Sequence, residues 1–185
     1  QNREQAARRA GAALGLHECV SYAFIDQAAA ALFGAGSDAT RLENPISADM
    51  SHMRPDLLPG LLAAAQRNQA RGFADLALFE IGPVFSGGEP EEQGLQIAGL
   101  LIGRSAPKDV HASDRDVDLF DAKADALSIL GAIGAPAKTQ IRRGAAPWWH
   151  PGRHGQICLG PKKTLAVFGE LHPKILAAFD IKGPA

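Results

Sequence analysis

The chain has 185 residues, of which 46% are hydrophobic and 21% are charged, a composition typical of one globular domain. Nineteen basic and 20 acidic side chains leave a formal net charge of −1, which gives no whole-chain electrostatic reason to expect binding to nucleic acid or an anionic membrane. Apolar runs such as residues 95–102 are far shorter than the roughly 18 residues of a membrane-spanning helix, which excludes a membrane protein.

The first third of the chain predicts a helix, a strand and a second helix. Residues 2–13 are rich in Ala and Arg, and Gly15 supplies a helix-ending turn. Side chains from 18 to 24 alternate with the period of a strand. This alternation places three apolar side chains on one face: Val20, Tyr22 and Phe24. Asp26 then caps an Ala-rich helix that ends near Phe33.

The middle of the chain predicts a loop, a helix and a hairpin. Two prolines hold residues 44–55 extended or looped. The helix that begins around Pro59 has one apolar stripe at helical spacing: Leu58, Leu61, Leu62 and Ala65. Strand patterns over 75–85 and 95–103 flank a Gly/Pro/Glu tract, which predicts an antiparallel hairpin with a long solvated tip.

The last third is mostly β-like. Charged residues over 104–116 form a connection to a helix that ends near Gly131 or Gly134. Three strands are predicted, over 139–142, 156–159 and 165–171, and Pro173 opens a final helix. Six or seven strands, often adjacent in sequence, and five helices predict an α+β fold with an antiparallel sheet flanked by helices, in a single domain over 1–185.

Two motifs have a spacing that could form a ligand or metal site. Residues 34–39 have the spacing of a dinucleotide fingerprint but follow a helix instead of a strand, which favours a helix-ending turn. His150 and His154 could share a metal ion on a helix, but the Pro-Gly between them favours a tight turn. A free-standing metal-dependent or small-molecule enzyme that uses this turn with Glu170 stays open as an alternative, as does an amino-acid-binding module.

The cysteines and scattered carboxylates have ordinary structural interpretations. Cys19 and Cys158 are favoured as buried structural thiols, and two cysteines are too few for a disulfide framework. Glu80, Asp121 and Glu170 are favoured as solvated or ion-paired surface groups. With no secretory leader pattern we expect a reducing cytoplasm, and the start at a residue other than Met suggests a piece of a longer protein.

Many short motifs recur in one order over nearly the whole chain. They are GLHE at 15–18, SYAF at 21–24, ENPIS at 43–47, SHMRP at 51–55, LLPGLL at 57–62, Asn68, FEIG at 79–82 followed by VF at 84–85, DLFDAK at 118–123, HPGR at 150–153 and GELHP at 169–173. In this order and spacing the chain resembles the catalytic-like module of the β subunit of bacterial phenylalanyl-tRNA synthetase. The resemblance implies the antiparallel class II synthetase fold.

The resemblance also implies a division of labour between subunits. In this family the α subunit holds the ATP and phenylalanine site, and the β module supports assembly of a heterotetrameric cytoplasmic enzyme that attaches phenylalanine to its tRNA. Class II sites clamp the α-phosphate with an arginine shortly after a strand, and the comparable stretch 84–89 has none. The third class II motif has no recognisable counterpart before Ala185, and residues 154–155 depart from the small residues expected there.

The resemblance therefore implies no catalytic, cofactor-binding or metal-binding residue in this chain. ATP and magnesium belong to the whole enzyme, and the implied partners are the α subunit and, through the complex, the tRNA for phenylalanine. The family's magnesium-associated carboxylates and its editing and tRNA-binding modules precede this region. No membrane contact is implied.

Fold analogy favours residues 44–62 and the hairpin around 79–85 as the interface with the α subunit. The candidate interface residues are Asn44, Pro45, Met53, Arg54, Pro55, Phe79 and Glu80. Two X-Pro steps hold this segment extended, so less conformational entropy is lost on docking. A loop packed on its own domain, with Arg54 bound to nearby carbonyl groups, is the alternative.

Overall fold

The computed structural model describes residues 2–106, 115–144 and 146–185, so most of the connection predicted over 104–116 lies outside the described residues. The described part contains five α-helices: α1 Arg3–Ala13, α2 Gln27–Leu32, α3 Leu58–Gln69, α4 Leu119–Ala132 and α5 Pro173–Ala178. Its eight strands are β1 His17–Glu18, β2 Phe24–Ile25, β3 His52–Met53, β4 Leu76–Phe85, β5 Gln93–Ile102, β6 Gln140–Arg142, β7 Trp149–Leu159 and β8 Lys163–Leu171. None of the described helices is long and apolar enough to cross a membrane.

The strands form three small sheets. β4 lies between β1, which it pairs in parallel, and β5, which it pairs antiparallel. β2 pairs with β3, and β7 lies between β6 and β8, all antiparallel. The predicted α+β fold is confirmed, although the sheet is divided and one pairing is parallel. The predicted hairpin is also confirmed, with an unbroken register from Leu76 opposite Ile102 to Phe85 opposite Gln93.

The core is built around α3, whose predicted apolar stripe is confirmed. Leu61, Leu62 and Ala65 are fully buried and Leu58 nearly so. They belong to one cluster with side chains from the sheets and α5: Leu78, Leu100, Ile102, Leu171, Ile175 and Leu176. Burial of each such side chain stabilises the fold by about 1.5–3 kcal/mol. The cluster contains side chains of α3, of both larger sheets and of α5.

All five predicted helices are present, and their starts follow the sequence signals. Asn2 and Asp26 accept hydrogen bonds from the backbone NH groups of Glu4 and Ala29. Asp118 and Asp121 form a reciprocal capping box at α4, and Nδ1 of His172 accepts from the NH of Lys174 at α5. These bonds satisfy NH groups that a helix start otherwise leaves unpaired.

Two predicted elements differ from the observed ones. The strand predicted over 18–24 is two separate two-residue strands, β1 and β2, because a bend intervenes. The tight turn predicted at His150 is wrong, since residues 149–159 form one strand with an irregular register between Trp149 and His154. Pro151 lies in this irregular stretch, which suits a residue that cannot donate a ladder hydrogen bond.

Candidate functional site

A buried ion pair joins Arg54, just after β3, to Glu80 of β4. Arg54 Nη1 lies 2.7 Å from Glu80 Oε1, and each side chain is 3% exposed. Ser21 completes the group: its Oγ accepts from Arg54 Nη1 at 3.0 Å and donates to Glu80 Oε2 at 2.7 Å. The Arg54 Nε also donates to the carbonyl of Pro83 at 2.9 Å. Both charges are tolerated in the interior because each is paired and hydrogen-bonded.

The absence of a side chain at two glycines provides the space that this group occupies. A methyl group at Gly60 would collide with Ser21 Oγ, and one at Gly82 would collide with Arg54 Nη2. The backbone is held at the same place. The NH of Arg54 donates to the carbonyl of Ala23 at 2.9 Å, and the carbonyl of Arg54 accepts from the NH of Phe85 at 3.0 Å. The group therefore fixes residues 21–25 and 52–55 against β4.

Fixing this segment turns an apolar face outward. Cys19 and Ser21 are half-buried against the sheet, so the alternate side chains point away from it. Val20 is 93% exposed, Tyr22 72% and Phe24 37%. Ile46, in the loop before the short helical turn at 48–50 that contacts β2, is 91% exposed. We name Val20, Tyr22 and Phe24, the exposed apolar residues of this segment, the outer apolar face. Contiguous apolar patches on a protein surface mark interaction sites, and the alternation puts these side chains on one side of the segment.

The predicted interface residues divide into buried and accessible ones. Arg54, Phe79 and Glu80 are buried inside the chain, so their side chains can influence a partner only through the backbone that they hold. Glu80 is thus not a surface carboxylate, and Arg54 binds a carbonyl of its own chain as in the alternative interpretation. Asn44 and Pro45 are exposed, and Met53 and Pro55 are half-buried; their interface role stays a prediction.

The hairpin tip lacks the chemistry of a phosphate site. Residues 84–94 contain no Arg or Lys but three glutamates, Glu89, Glu91 and Glu92. Glu92 folds back on the tip, where its Oε2 accepts from the NH of Glu89 at 3.0 Å. Because carboxylates repel the phosphates of ATP and supply no donors, the tip does not fit ATP.

The two histidines considered for metal binding are engaged with the backbone. His150 Nδ1 accepts from the NH of Gly152 at 3.2 Å, and His154 Nδ1 lies 2.5 Å from the carbonyl of His150. Glu170 is paired instead with Arg153, at 2.7 Å. Over the part of the chain that the structure describes, no group of three or more His, Cys, Asp or Glu side chains could hold a metal ion.

The remaining sequence motifs also have structural roles. Gly34 and Gly36 adopt φ values of 80° and 90° in the turn that ends α2, as expected for residues 34–39. Cys158 is buried and Cys19 half-buried, and both are free thiols. Burial, and then the charge of Glu80, raise the pKa of the Cys19 thiol, which makes it a weak nucleophile. Asp121 is ion-paired with Arg115 at 2.6 Å, as predicted for a surface carboxylate.

One partly buried polar residue, Asp56, is not among the residues that the sequence motifs indicate. The Asp56 carboxylate accepts from the NH of Leu58 at 2.9 Å and from Gln96 Nε2 at 3.1 Å, which links the start of α3 to β5. Burial raises the pKa of Asp56. An acidic residue just before a helix with proline in its first turn is a helix-start signal that could have identified its position.

Comparison with known proteins gives consistent family matches. Residues 1–185 match the family described as "Phenylalanyl tRNA synthetase beta chain CLM domain". The chain is 74% identical over 185 residues to the phenylalanine–tRNA ligase β subunit of Ruegeria pomeroyi and 68% identical to that of Cereibacter sphaeroides. Both matches include the whole chain but 23% of the relative, so the chain spans about a quarter of the length of these curated relatives.

The fold has counterparts among solved synthetase structures. A pyrrolysyl-tRNA synthetase from Desulfitobacterium hafniense superimposes with a TM-score of 0.70 over 98% of this chain and 60% of the other. The sequence identity is 16%, so this likeness concerns the fold alone. It agrees with the α+β architecture of a class II synthetase catalytic domain.

Proposed function

The chain belongs to the family of phenylalanyl-tRNA synthetase β-chain CLM domains, and we propose that it is a non-catalytic module that holds the catalytic α subunit in the assembled enzyme. The outer apolar face is the observation that carries this proposal. Val20 and Tyr22 are exposed to water at 93% and 72%, and covering them with a partner lowers the free energy of the system.

The chemistry of the hairpin tip supports a non-catalytic role. An adenylating site needs cationic donors around the phosphates, and the tip offers three glutamates instead. In this proposal the α subunit supplies the ATP and magnesium site of the complex, and the tRNA for phenylalanine is bound by the full enzyme. The assembled enzyme works in the cytoplasm.

The buried group of Arg54, Glu80 and Ser21 also supports the proposal. It lies on the inner side of the segment that exposes the outer apolar face. It holds residues 21–25 and 52–55 in one conformation before a partner arrives, so little conformational entropy is lost on docking. Tyr22 and Met53 are residue types enriched in interface cores. The free-standing metal enzyme has no comparable support, because the described residues contain no group of three or more His, Cys, Asp or Glu side chains that could hold a metal ion.

The test is a pair of substitutions in the full-length β subunit. Val20→Glu with Tyr22→Glu should weaken binding to the α subunit by about tenfold or more, since every 1.4 kcal/mol lost is a factor of ten. Its unfolding midpoint should not change, because both side chains are exposed. Phe120→Glu is the matched control, since Phe120 is 65% exposed on α4. Unchanged affinity for the α subunit in the double variant would refute the proposal.

A further inference from the structure

The charges of the chain are distributed unevenly along its sequence. Residues 126–169 contain six Lys and Arg side chains and no Asp or Glu, whereas the other 141 residues contain 13 basic and 20 acidic ones. This stretch forms the end of α4 and almost all of the sheet of β6, β7 and β8. The net charge of −1 therefore results from a basic sheet that is balanced by a more acidic remainder.

Five of these six cations lie in one half of the sheet, around β6 and the turn from β7 to β8. β6 is the outermost strand of the sheet that the described residues form, and the pairing of Gln140 with Cys158 places its start near that turn. The cations are on β6, beside it or at the turn, and all of them are exposed. We name them the basic edge: Lys138, Arg142, Arg143, Lys162 and Lys163.

Hydrogen bonds from Arg142 connect β6 to the turn. Its Nη1 donates to the carbonyl of Pro161 at 2.9 Å, which brings the guanidinium beside the residue that precedes Lys162. Its Nη2 donates to Gln140 Oε1 at 3.0 Å. Both acceptors are neutral, so they fix the position of the guanidinium and leave its charge uncompensated.

The basic edge is not neutralised by carboxylates of the same domain. Among the described residues, none of its five cations forms an ion pair with Asp or Glu. Arg153, the sixth cation of the stretch, is by contrast paired with Glu170 at 2.7 Å. Like charges that lie close together repel each other, which disfavours the arrangement unless an anion binds to it.

The side chains around Arg142 are polar. Arg142 is opposite Gln156 of β7, and Thr164 Oγ1 donates to Gln156 Oε1 at 3.4 Å, so these three side chains share one face of the sheet. Ile141, the exposed apolar residue of β6, lies on the other face. Protein interfaces have an apolar centre, whereas a nucleic acid backbone is bound by Arg and Lys together with Thr and Gln. This face therefore fits a nucleic acid backbone better than a protein.

We propose that the basic edge binds the sugar-phosphate backbone of the tRNA on which the assembled enzyme acts. The binding is electrostatic and independent of base sequence, because it joins exposed Lys and Arg to phosphates. It gives the module a second role, which is to hold the RNA while the α subunit carries out the chemistry. The inference rests on the proposed function for the identity of the RNA, but the basic edge shares no residue with the outer apolar face.

The test is a triple variant of the full-length β subunit in complex with the α subunit. Arg143→Gln, Lys162→Gln and Lys163→Gln remove three charges and keep Arg142, whose hydrogen bonds support the turn. Fluorescence anisotropy measures the binding of a transcript of the tRNA for phenylalanine from about 50 to 200 mM salt. We expect the affinity to fall about tenfold or more at the lowest salt concentration, and the slope of log affinity against log salt to become less steep by about 2–3.

The matched control removes the same charges from other parts of the surface. Arg71→Gln, Lys174→Gln and Lys182→Gln change one arginine and two lysines that are exposed and have no ion pair among the described residues. The control complex should bind the tRNA as the wild-type complex does. Hydroxyl-radical footprinting of the tRNA backbone gives a second readout. A short protected stretch should be lost in the basic-edge variant and retained in the control.

Three results would overturn the proposal: unchanged tRNA affinity of the basic-edge variant, an equal loss of affinity in both triple variants, or an unchanged footprint. It is also overturned if the variant loses binding of polyglutamate or of phosphatidylserine vesicles while it keeps the tRNA, since the basic edge then serves an acidic protein or a membrane. The affinity for the α subunit is measured on the same preparations and should not change. A loss there would place the basic edge at the subunit interface, whereas the proposed function fails only with the Val20 and Tyr22 variant.

Discussion

The guanidinium of Arg54 and the carboxylate of Glu80 meet 2.7 Å apart in the interior, although 26 residues separate them in sequence. Their contact is the point where the irregular segment before α3 is fastened to the central strand β4. A buried pair of this kind contributes little net free energy when intact, but it is costly to break, because the remaining charge has no partner. Its main effect here is to fix one arrangement of the residues behind the outer apolar face.

Removing one member of the pair should therefore destabilise the fold strongly. Arg54→Met or Glu80→Leu should lower the free energy of unfolding by about 3–5 kcal/mol, and the double variant by less than the sum of the two. Urea unfolding of the full-length subunit measures all three. Arg153→Ala breaks the more exposed pair with Glu170 and should cost about 1 kcal/mol or less. If Arg54→Met and Glu80→Leu each lower the free energy of unfolding no more than Arg153→Ala does, the pair does not fasten this segment to β4.

Regular elements of this fold could be predicted because local signals dictate them. The stripe on α3, the Asp26 and Asp118 caps and the β4–β5 hairpin all depend on residues close in sequence. The segment around Val20 shows the limit of such signals. Burial alternates along residues 19–24 as the sequence pattern predicts, but alternation alone cannot tell which face is buried. Ser21 turns inward because it meets Glu80 and Arg54, which are distant in sequence.

The same limit explains the misassigned site residues. Arg54 and Glu80 are charged, and charged residues are rarely buried unless paired, so their burial depends on a contact that only the folded chain contains. At His150, Pro-Gly predicts a tight turn, whereas both residues lie within β7, where the register with β8 is irregular between Trp149 and His154. Tertiary pairing overrode the local preference there.

The α3 stripe leads to a second prediction. Leu61→Ala should lower the free energy of unfolding by about 2–5 kcal/mol, since it leaves a cavity around a side chain that is 0% exposed. Leu127→Ala is the comparison, because Leu127 is 39% exposed on α4 and should cost much less. Thermal or urea unfolding checks both. If Leu61→Ala instead leaves stability intact and weakens binding to the α subunit, the stripe belongs to the interface.

A third prediction concerns catalysis. The full-length β subunit purified without α subunit should show no phenylalanine-dependent exchange of pyrophosphate into ATP, because the hairpin tip has carboxylates where an adenylating site needs cationic donors. Ser86→Arg should not create activity, since Glu89, Glu91 and Glu92 remain beside it. Adding the α subunit is the positive control. Exchange by the β subunit alone, in a preparation shown to lack α subunit, would disprove this prediction.

The last prediction uses two aspartates whose pKa values move in opposite directions. Burial raises the pKa of Asp56 above its ordinary value of 3.8, whereas the hydrogen bonds from Arg115 lower the pKa of Asp121. When the folded state holds a proton more tightly than the unfolded state, the free energy of unfolding falls as the pH rises between the two pKa values. The contribution of Asp56 is therefore greatest below pH 3.8 and decreases as the pH rises through its raised pKa.

Asparagine cannot ionise, so Asp56→Asn and Asp121→Asn isolate the two effects. The stability of the wild-type chain relative to Asp56→Asn should decrease as the pH rises above 3.8. The stability of the wild-type chain relative to Asp121→Asn should change in the opposite direction. It should increase as the pH rises from the lowered pKa of Asp121 toward 3.8. Urea unfolding of the full-length subunit over this acidic range measures both differences. Equal pH dependence in the two comparisons would show that Asp56 is not desolvated between the start of α3 and β5.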